Sequence, residues 1–138
     1  MPNHVCHGAV LKCSMGMAPS TLAVLPPVAT VVTQDVLDAN GVTDPFIASC
    51  LLGKTFNSEP VPTDVELGPD GMLYVSGLSG GIAPGAVYRV NPRTGSVTMI
   101  GFGFAGATNL AVAPDGSIFV AELFGGEISK LVNGGPQQ

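Results

Sequence analysis

The stretch from Thr63 to Val75 reads TDVELGPDGMLYV, and the stretch from Thr108 to Val120 reads TNLAVAPDGSIFV. The second begins 45 positions after the first and repeats its order of polar, turn-forming and apolar residues. A period of this length is typical of stacked or radially arranged modules, which bury their apolar faces against neighbouring modules. We therefore expect residues 60–138 to contain two copies of one β-rich unit.

Each copy predicts a strand, a turn and a returning strand. Polar and apolar residues alternate over 64–67, as expected of a half-buried strand, and Pro69, Asp70 and Gly71 then supply the chemistry of a tight turn. We expect a third strand over 86–90 and over 127–131, and a fourth over 96–100. Four strands in about 40–45 residues match the size of one propeller blade.

The composition favours an all-β domain, or two small ones. The chain has 138 residues, of which 46% are apolar and 11% charged, so disorder is not expected. Nineteen glycines and twelve prolines predict many turns and argue against long helices. The segment 34–44 is interpreted as an acidic loop, and a linker rich in Pro, Asn and Ser is expected at 54–62.

The charge and the apolar pattern of the chain argue against nucleic-acid partners and against a membrane span. The net charge is −5 with five cations, too few for a basic stripe that neutralises phosphates, so we expect no nucleic-acid partner. The most apolar stretch, from Leu22 to Val32, is short and broken by two prolines, so no membrane span is expected. The opening residues carry no signal-peptide pattern, which predicts synthesis in the cytoplasm.

The repeats over about residues 60–135 resemble the propeller repeats of the NHL and SMP-30-like superfamily, most closely those of the ScyD/ScyE type. The matching motifs are Gly68-Pro69-Asp70-Gly71-Met72-Leu73-Tyr74-Val75, Val87-Tyr88-Arg89-Val90-Asn91-Pro92 and Ala113-Pro114-Asp115-Gly116-Ser117-Ile118-Phe119-Val120. Some relatives bind a divalent cation in a central channel, and Asn109 and Glu122 occupy comparable positions. The alternative is that Asn109 is an edge residue and Glu122 a solvated strand end.

Two units cannot close a propeller, which uses about four to eight blades. Several chains could complete one, the two units could form an open sandwich, or the repeats could be a fragment fused to another protein. This half contains neither His nor Cys, so no Ser-His-Asp or Cys-His nucleophile is expected and we predict no enzymatic activity.

The first half carries all three cysteines and both histidines. Its opening, from Val5 to Pro26, resembles the start of the PAAR-like (DUF4280) family, with a run Val-Cys-x-Gly-Ala-x-Leu-x-Cys-Ser and a following Ala-Pro-Ser. The resemblance covers residues 3–53. It implies a small conical β structure, resting on a trimeric spike protein and capping a contractile injection system such as a type VI secretion apparatus, exported as part of a particle.

The same resemblance implies a metal ion, zinc or iron, held by a few Cys and His side chains. The candidate ligands in this sequence are Cys6, His7, Cys13 and Cys50. Thiolate and imidazole ligands suit tetrahedral zinc, and a small fold gains stability from such a site. None of the spacings is Cys-x-x-Cys, so the alternative stays open that Cys13 and Cys50 are small buried hydrophobes.

These observations give one preferred function and two alternatives. The preferred one is a spike-tip protein with a cap over 1–53, the linker, and two blade-like repeats over 63–107 and 108–138 that bind cargo or a partner. The first alternative is a propeller-type binding module, secreted or envelope-associated, that self-assembles because its blades expose edges. The second is a fusion, natural or artificial, of two unrelated segments.

Overall fold

The computed structural model describes residues 9–12, 20–79 and 83–138, with side chains from residue 21 onward. The chain is mostly β, with 50% strand and 11% helix in several antiparallel sheets, so the prediction of a β-rich fold is confirmed. Along the part described, the elements are β1 Ala9–Lys12, β2 Ser20–Val24, β3 Val28–Val31, α1 Gln34–Ala39, α2 Pro45–Leu51, β4 Thr55–Ser58, β5 Pro62–Leu67, β6 Leu73–Gly77, β7 Gly85–Val90, β8 Val97–Phe104, β9 Ala107–Val112, β10 Ile118–Glu122, β11 Glu127–Val132 and β12 Gly135–Gln137.

Two four-stranded antiparallel sheets contain the two copies of the sequence repeat. The first sheet has the order β5-β6-β7-β8 and the second the order β9-β10-β11-β12, so each is a simple meander. The turn after the first strand is built alike in both. Gly71 has φ +76° and Gly116 has φ +87°, a left-handed backbone that glycine adopts without strain. The carboxylates of Asp70 and Asp115 accept a backbone N–H two residues later.

One face of the first sheet packs against the second sheet. The buried residues of this cluster are Tyr74, Val87, Phe104, Ala107, Leu110, Ile118 and Val120. At the outer edges of the sheets, the backbone N–H of Phe102 donates to the carbonyl of Gly134 at 2.9 Å. The two meanders are therefore joined across their faces and at their outer edges.

The other face of the first sheet is covered by residues that precede it in the sequence. The buried residues of this second cluster are Ala23, Leu25, Val28, Val75, Ala83, Ala86, Tyr88 and Val90. Because side chains alternate along a strand, β6 and β7 supply both clusters, one from each face. The first sheet is consequently the middle layer of three.

Helix α1 corrects the expectation of a loop over residues 34–44, and a second short helix, α2, follows it. Thr33 accepts the N–H of Val36 at the start of α1, and the Asp44 carboxylate accepts the N–H groups of Phe46 and Ile47 at 2.8 and 3.1 Å at the start of α2. Such capping side chains satisfy N–H groups that have no partner within a helix. The acidic segment 34–44 is therefore partly helical.

The segment expected as a linker, 54–62, contains β4 and the first residue of β5. Strand β4 pairs antiparallel with β3, with Val28 opposite Ser58 and Val31 opposite Thr55. Among the described residues, no helix has the length and apolar character needed to cross a membrane.

Candidate functional site

The contact between the two sheets shows what covers one face of a repeat. Tyr74 and Val87 of the first sheet are 8% and 0% exposed because the second sheet lies over them. The covering strand is mainly β9, which contributes the buried Leu110. Apolar burial of this kind is worth about 1.5–3 kcal/mol for each large side chain.

Polar contacts fix the position of β9 on the first sheet. The Asp64 carboxylate accepts the backbone N–H of Leu110 at 3.0 Å, and the Thr63 hydroxyl donates to the carbonyl of Ala107 at 3.0 Å. Strands β5 and β9 are both edge strands of their sheets, so these bonds satisfy backbone groups that the sheets themselves leave free. The interface is therefore specified by hydrogen bonds as well as by shape.

The repeat makes a second face of the same kind on the second sheet. Asn109 stands at the position of Asp64 and Phe119 at that of Tyr74, each 45 residues later. Ile128 corresponds to Val87, because Ile128 pairs with Ala121 as Val87 pairs with Ser76. This equivalent face is uncovered, with Phe119 38% and Ile128 71% exposed.

We call this surface the open face and define it by Asn109, Ala111, Phe119, Ala121, Ile128 and Lys130. Its centre is a shallow cavity of about 190 Å³ between β9, β10 and β11. The Lys130 ammonium lies 5.9 Å from the centroid of the Phe119 ring, within the range of a cation–π contact. The open face is therefore apolar at its centre and carries one cation beside its aromatic ring.

The corresponding aromatic of the first sheet has a different partner. The Tyr74 hydroxyl donates to the Asp70 carboxylate at 2.8 Å, and the Arg89 guanidinium donates to the same oxygen at 2.9 Å. Desolvation acts to raise the pKa of Asp70, but hydrogen bonds from Arg89, from the Met72 N–H and from Tyr74 outweigh it and hold that pKa below its usual range. The polar cluster thus holds the covered aromatic in place at the rim of the sheet contact.

The three earliest predicted metal ligands, Cys6, His7 and Cys13, lie outside the described residues. Cys50 lies on α2 as an exposed free thiol, so the interpretation of Cys50 as a buried hydrophobe is wrong. Within 9–12, 20–79 and 83–138, no three His, Cys, Asp or Glu side chains come close enough together to hold a metal ion. The zinc or iron site stays a prediction.

The interpretation of Glu122 as a solvated strand end is also wrong. Glu122 is buried at the end of β10, where its carboxylate accepts the Ser129 hydroxyl and the backbone N–H of Ala105. Both carboxylate oxygens therefore bind parts of the fold. Asn109 is exposed on the edge strand β9 and belongs to the open face.

Sequence reasoning missed the open face, although the repeat held the signal. Aligning the copies places Phe119 on Tyr74 and Asn109 on Asp64. A surface that is covered in the first copy therefore has an equivalent in the second copy, and that equivalent is a candidate binding surface. Comparison of the chain with protein-family models, with curated proteins and with solved structures finds no match.

Proposed function

We propose that this chain is a non-enzymatic binding module that associates with itself through the open face. The observation that carries the proposal is the contrast between two equivalent surfaces. Tyr74 and Val87 are covered within the chain, whereas Phe119 and Ile128 at the same positions of the next copy are exposed. Covering Phe119 and Ile128 with another layer would remove their apolar surface from water, which favours association.

The described acidic groups support a structural role for this half. Asp70 is held by Arg89 and Tyr74, Asp115 accepts the N–H of Ser117, and Glu122 is buried against β11. Each carboxylate thus stabilises a turn or a strand end. We further propose that the two meanders are blades of a propeller-like assembly, in line with the resemblance of their motifs.

The spike-tip function depends on the opening motif of residues 3–53 and stays a prediction. A spike tip needs its base free to rest on another polypeptide. In this structure Leu25 and Val28 are buried against the first sheet of the same chain. If this segment is the base that the resemblance implies, the packing occupies it, which supports the binding module.

Sedimentation velocity of the full chain over a wide concentration range tests the proposal. We expect the wild type to associate and Ile128→Glu to weaken association by more than about tenfold, since burying an unpaired carboxylate at an apolar contact is costly. Val31→Glu is the matched control, because Val31 is an exposed branched residue on β3, away from the open face. A wild type that stays monomeric at every concentration would refute the proposed function.

A further inference from the structure

The geometry points to a head-to-tail contact in which strand β5 of a second copy occupies the open face. In this arrangement Val65 and Leu67 of one copy lie where Leu110 and Val112 lie in the contact within the chain. The inference rests on the proposed function and adds to it the identity of the mating surface. It makes the interface between copies a partial repetition, through β5 alone, of the interface between the two sheets, because the preceding segment covers β6 and β7.

The contact within the chain joins two different surfaces. The first sheet contributes the face around Tyr74 and Val87. The second sheet contributes the face that carries Leu110, which is not equivalent to the Tyr74 face of the first sheet. A contact between unlike surfaces leaves the open face free at one end of the repeat, and at the other end the preceding segment covers the equivalent face on β6 and β7 but leaves Val65 and Leu67 of β5 exposed. Contacts of this heterologous type generate rings or extended chains.

The surface that we propose binds the open face is the exposed side of β5. Val65 and Leu67 are 49% and 65% exposed, whereas Leu110, the residue equivalent to Val65, is buried. The segment that precedes the first sheet covers Val75 and Tyr88 on β6 and β7, and it leaves β5 uncovered. Val65 and Leu67 are thus accessible on β5, and they are equivalent to Leu110 and Val112 of β9.

The polar contacts can repeat as well. In the chain, the Asp64 carboxylate accepts the N–H of Leu110. Asn109 occupies the position of Asp64 on the open face and has an amide oxygen that can accept in the same way. Its partner would be the N–H of Val65, which here donates to Oδ1 of the adjacent Asp64 at 2.9 Å. The open face therefore carries an acceptor, the Asn109 amide oxygen, and β5 carries a donor, the Val65 N–H, at the positions of Asp64 and Leu110 in the contact within the chain.

Complementation between two full-length variants tests the head-to-tail contact. Ile128→Glu blocks the open face and keeps β5, and Leu67→Glu blocks β5 and keeps the open face. We expect each variant alone to be monomeric, and an equimolar mixture to form a one-to-one dimer, since one intact pair of surfaces remains. Val31→Glu serves as the control that associates like the wild type.

The other outcomes are decisive. If Leu67→Glu associates like the wild type while Ile128→Glu is monomeric, the open face meets its own copy, and the head-to-tail contact is wrong while the proposed function stands. Two monomeric variants that do not pair also overturn the contact. If Ile128→Glu associates like the wild type, both proposals fail. Circular dichroism checks folding, and Val65→Thr, which keeps a β-branched side chain, replaces Leu67→Glu if that variant does not fold.

Discussion

At the scale of single residues, Tyr88 places an unpaired polar group in the apolar core. Its ring is fully buried between the first sheet and the preceding segment, and its hydroxyl has no hydrogen-bond partner among the residues that the structure describes. Burial raises the pKa of Tyr88 to about 12, because the phenolate would lose its hydration. A buried polar group without a partner lowers the free energy of unfolding.

Tyr88→Phe is therefore expected to raise the free energy of unfolding at neutral pH by about 1 kcal/mol. In the wild type, stability is fully present below the unfolded tyrosine pKa of about 10 and falls as the pH rises towards 12, because only the unfolded chain releases the proton in that range. The variant should lack this part of the alkaline loss. Denaturant titrations at neutral and alkaline pH measure both effects, and a less stable variant at neutral pH would show that the hydroxyl has a partner.

The polar cluster of Asp70, Tyr74 and Arg89 predicts that stability is lost as the pH falls, whereas Tyr88 predicts a loss as the pH rises. A lowered pKa means that the contribution of Asp70 is present above its unfolded pKa and is lost as the pH falls through the folded value. Asp70→Asn should therefore lower the thermal midpoint at neutral pH, with a difference that vanishes in acid. Asp115→Asn is the comparison variant, because hydrogen bonds from Ser117 lower the pKa of Asp115 as well.

Salt distinguishes the two carboxylates. The Asp70 effect should shrink at high salt, because the Arg89 pair is exposed and screened. Asp115 is held first by the backbone N–H of Ser117, so its effect should depend less on salt. Equal salt dependence of the two variants would contradict this account.

At the scale of elements, the caps of the short helices explain what sequence reasoning missed. The sequence predicts strands β5, β6 and β10 because the alternation over 64–67 and the Pro-Asp-Gly turns are local signals. Helix α2 has seven residues, none of them buried, and is too short for a helical period to be recognised in the sequence. What defines it is Pro45 at its first turn and the Asp44 cap.

Asp44→Ala should consequently loosen α2 without unfolding the protein. Loss of a capping carboxylate costs about 1 kcal/mol, so amide exchange of Phe46 and Ile47 should accelerate about fivefold. Asp38→Ala, which removes an exposed acid from α1, is the control. Hydrogen exchange resolved by residue gives the comparison, and unchanged rates at Phe46 and Ile47 would show that the cap is not needed.

At the scale of the whole molecule, the packing of residues 22–28 on the first sheet could not be predicted from the sequence. The apolar run from Leu22 to Val32 shows that the segment is to be buried, but periodicity gives no partner for a contact between residues more than forty positions apart. The open face was hidden for a related reason. Alternation separates the two faces of the second sheet, but only the three-layer arrangement shows which surfaces of the two sheets are covered.

The three layers predict one cooperative unfolding transition, and the two tyrosines can report on it. Tyr74 lies in the contact between the sheets and Tyr88 in the contact with the preceding segment, and the chain contains no tryptophan. Tyr88→Phe leaves Tyr74 as the reporter, and Tyr74→Phe leaves Tyr88. Because the first sheet supplies both clusters, loss of either one should destabilise the other.

We expect Leu25→Ala to lower the free energy of unfolding by about 2–5 kcal/mol, since it leaves a cavity in the cluster that contains Tyr88. The midpoint should fall equally for both reporters, although Leu25 contacts only one of the two clusters. Val120→Ala is the converse control in the cluster that contains Tyr74. Coincident fluorescence transitions in denaturant would establish a single cooperative unit. If Leu25→Ala moved the Tyr88 transition and left the Tyr74 transition unchanged, the preceding segment would unfold separately and the sheets would form a stable unit without it.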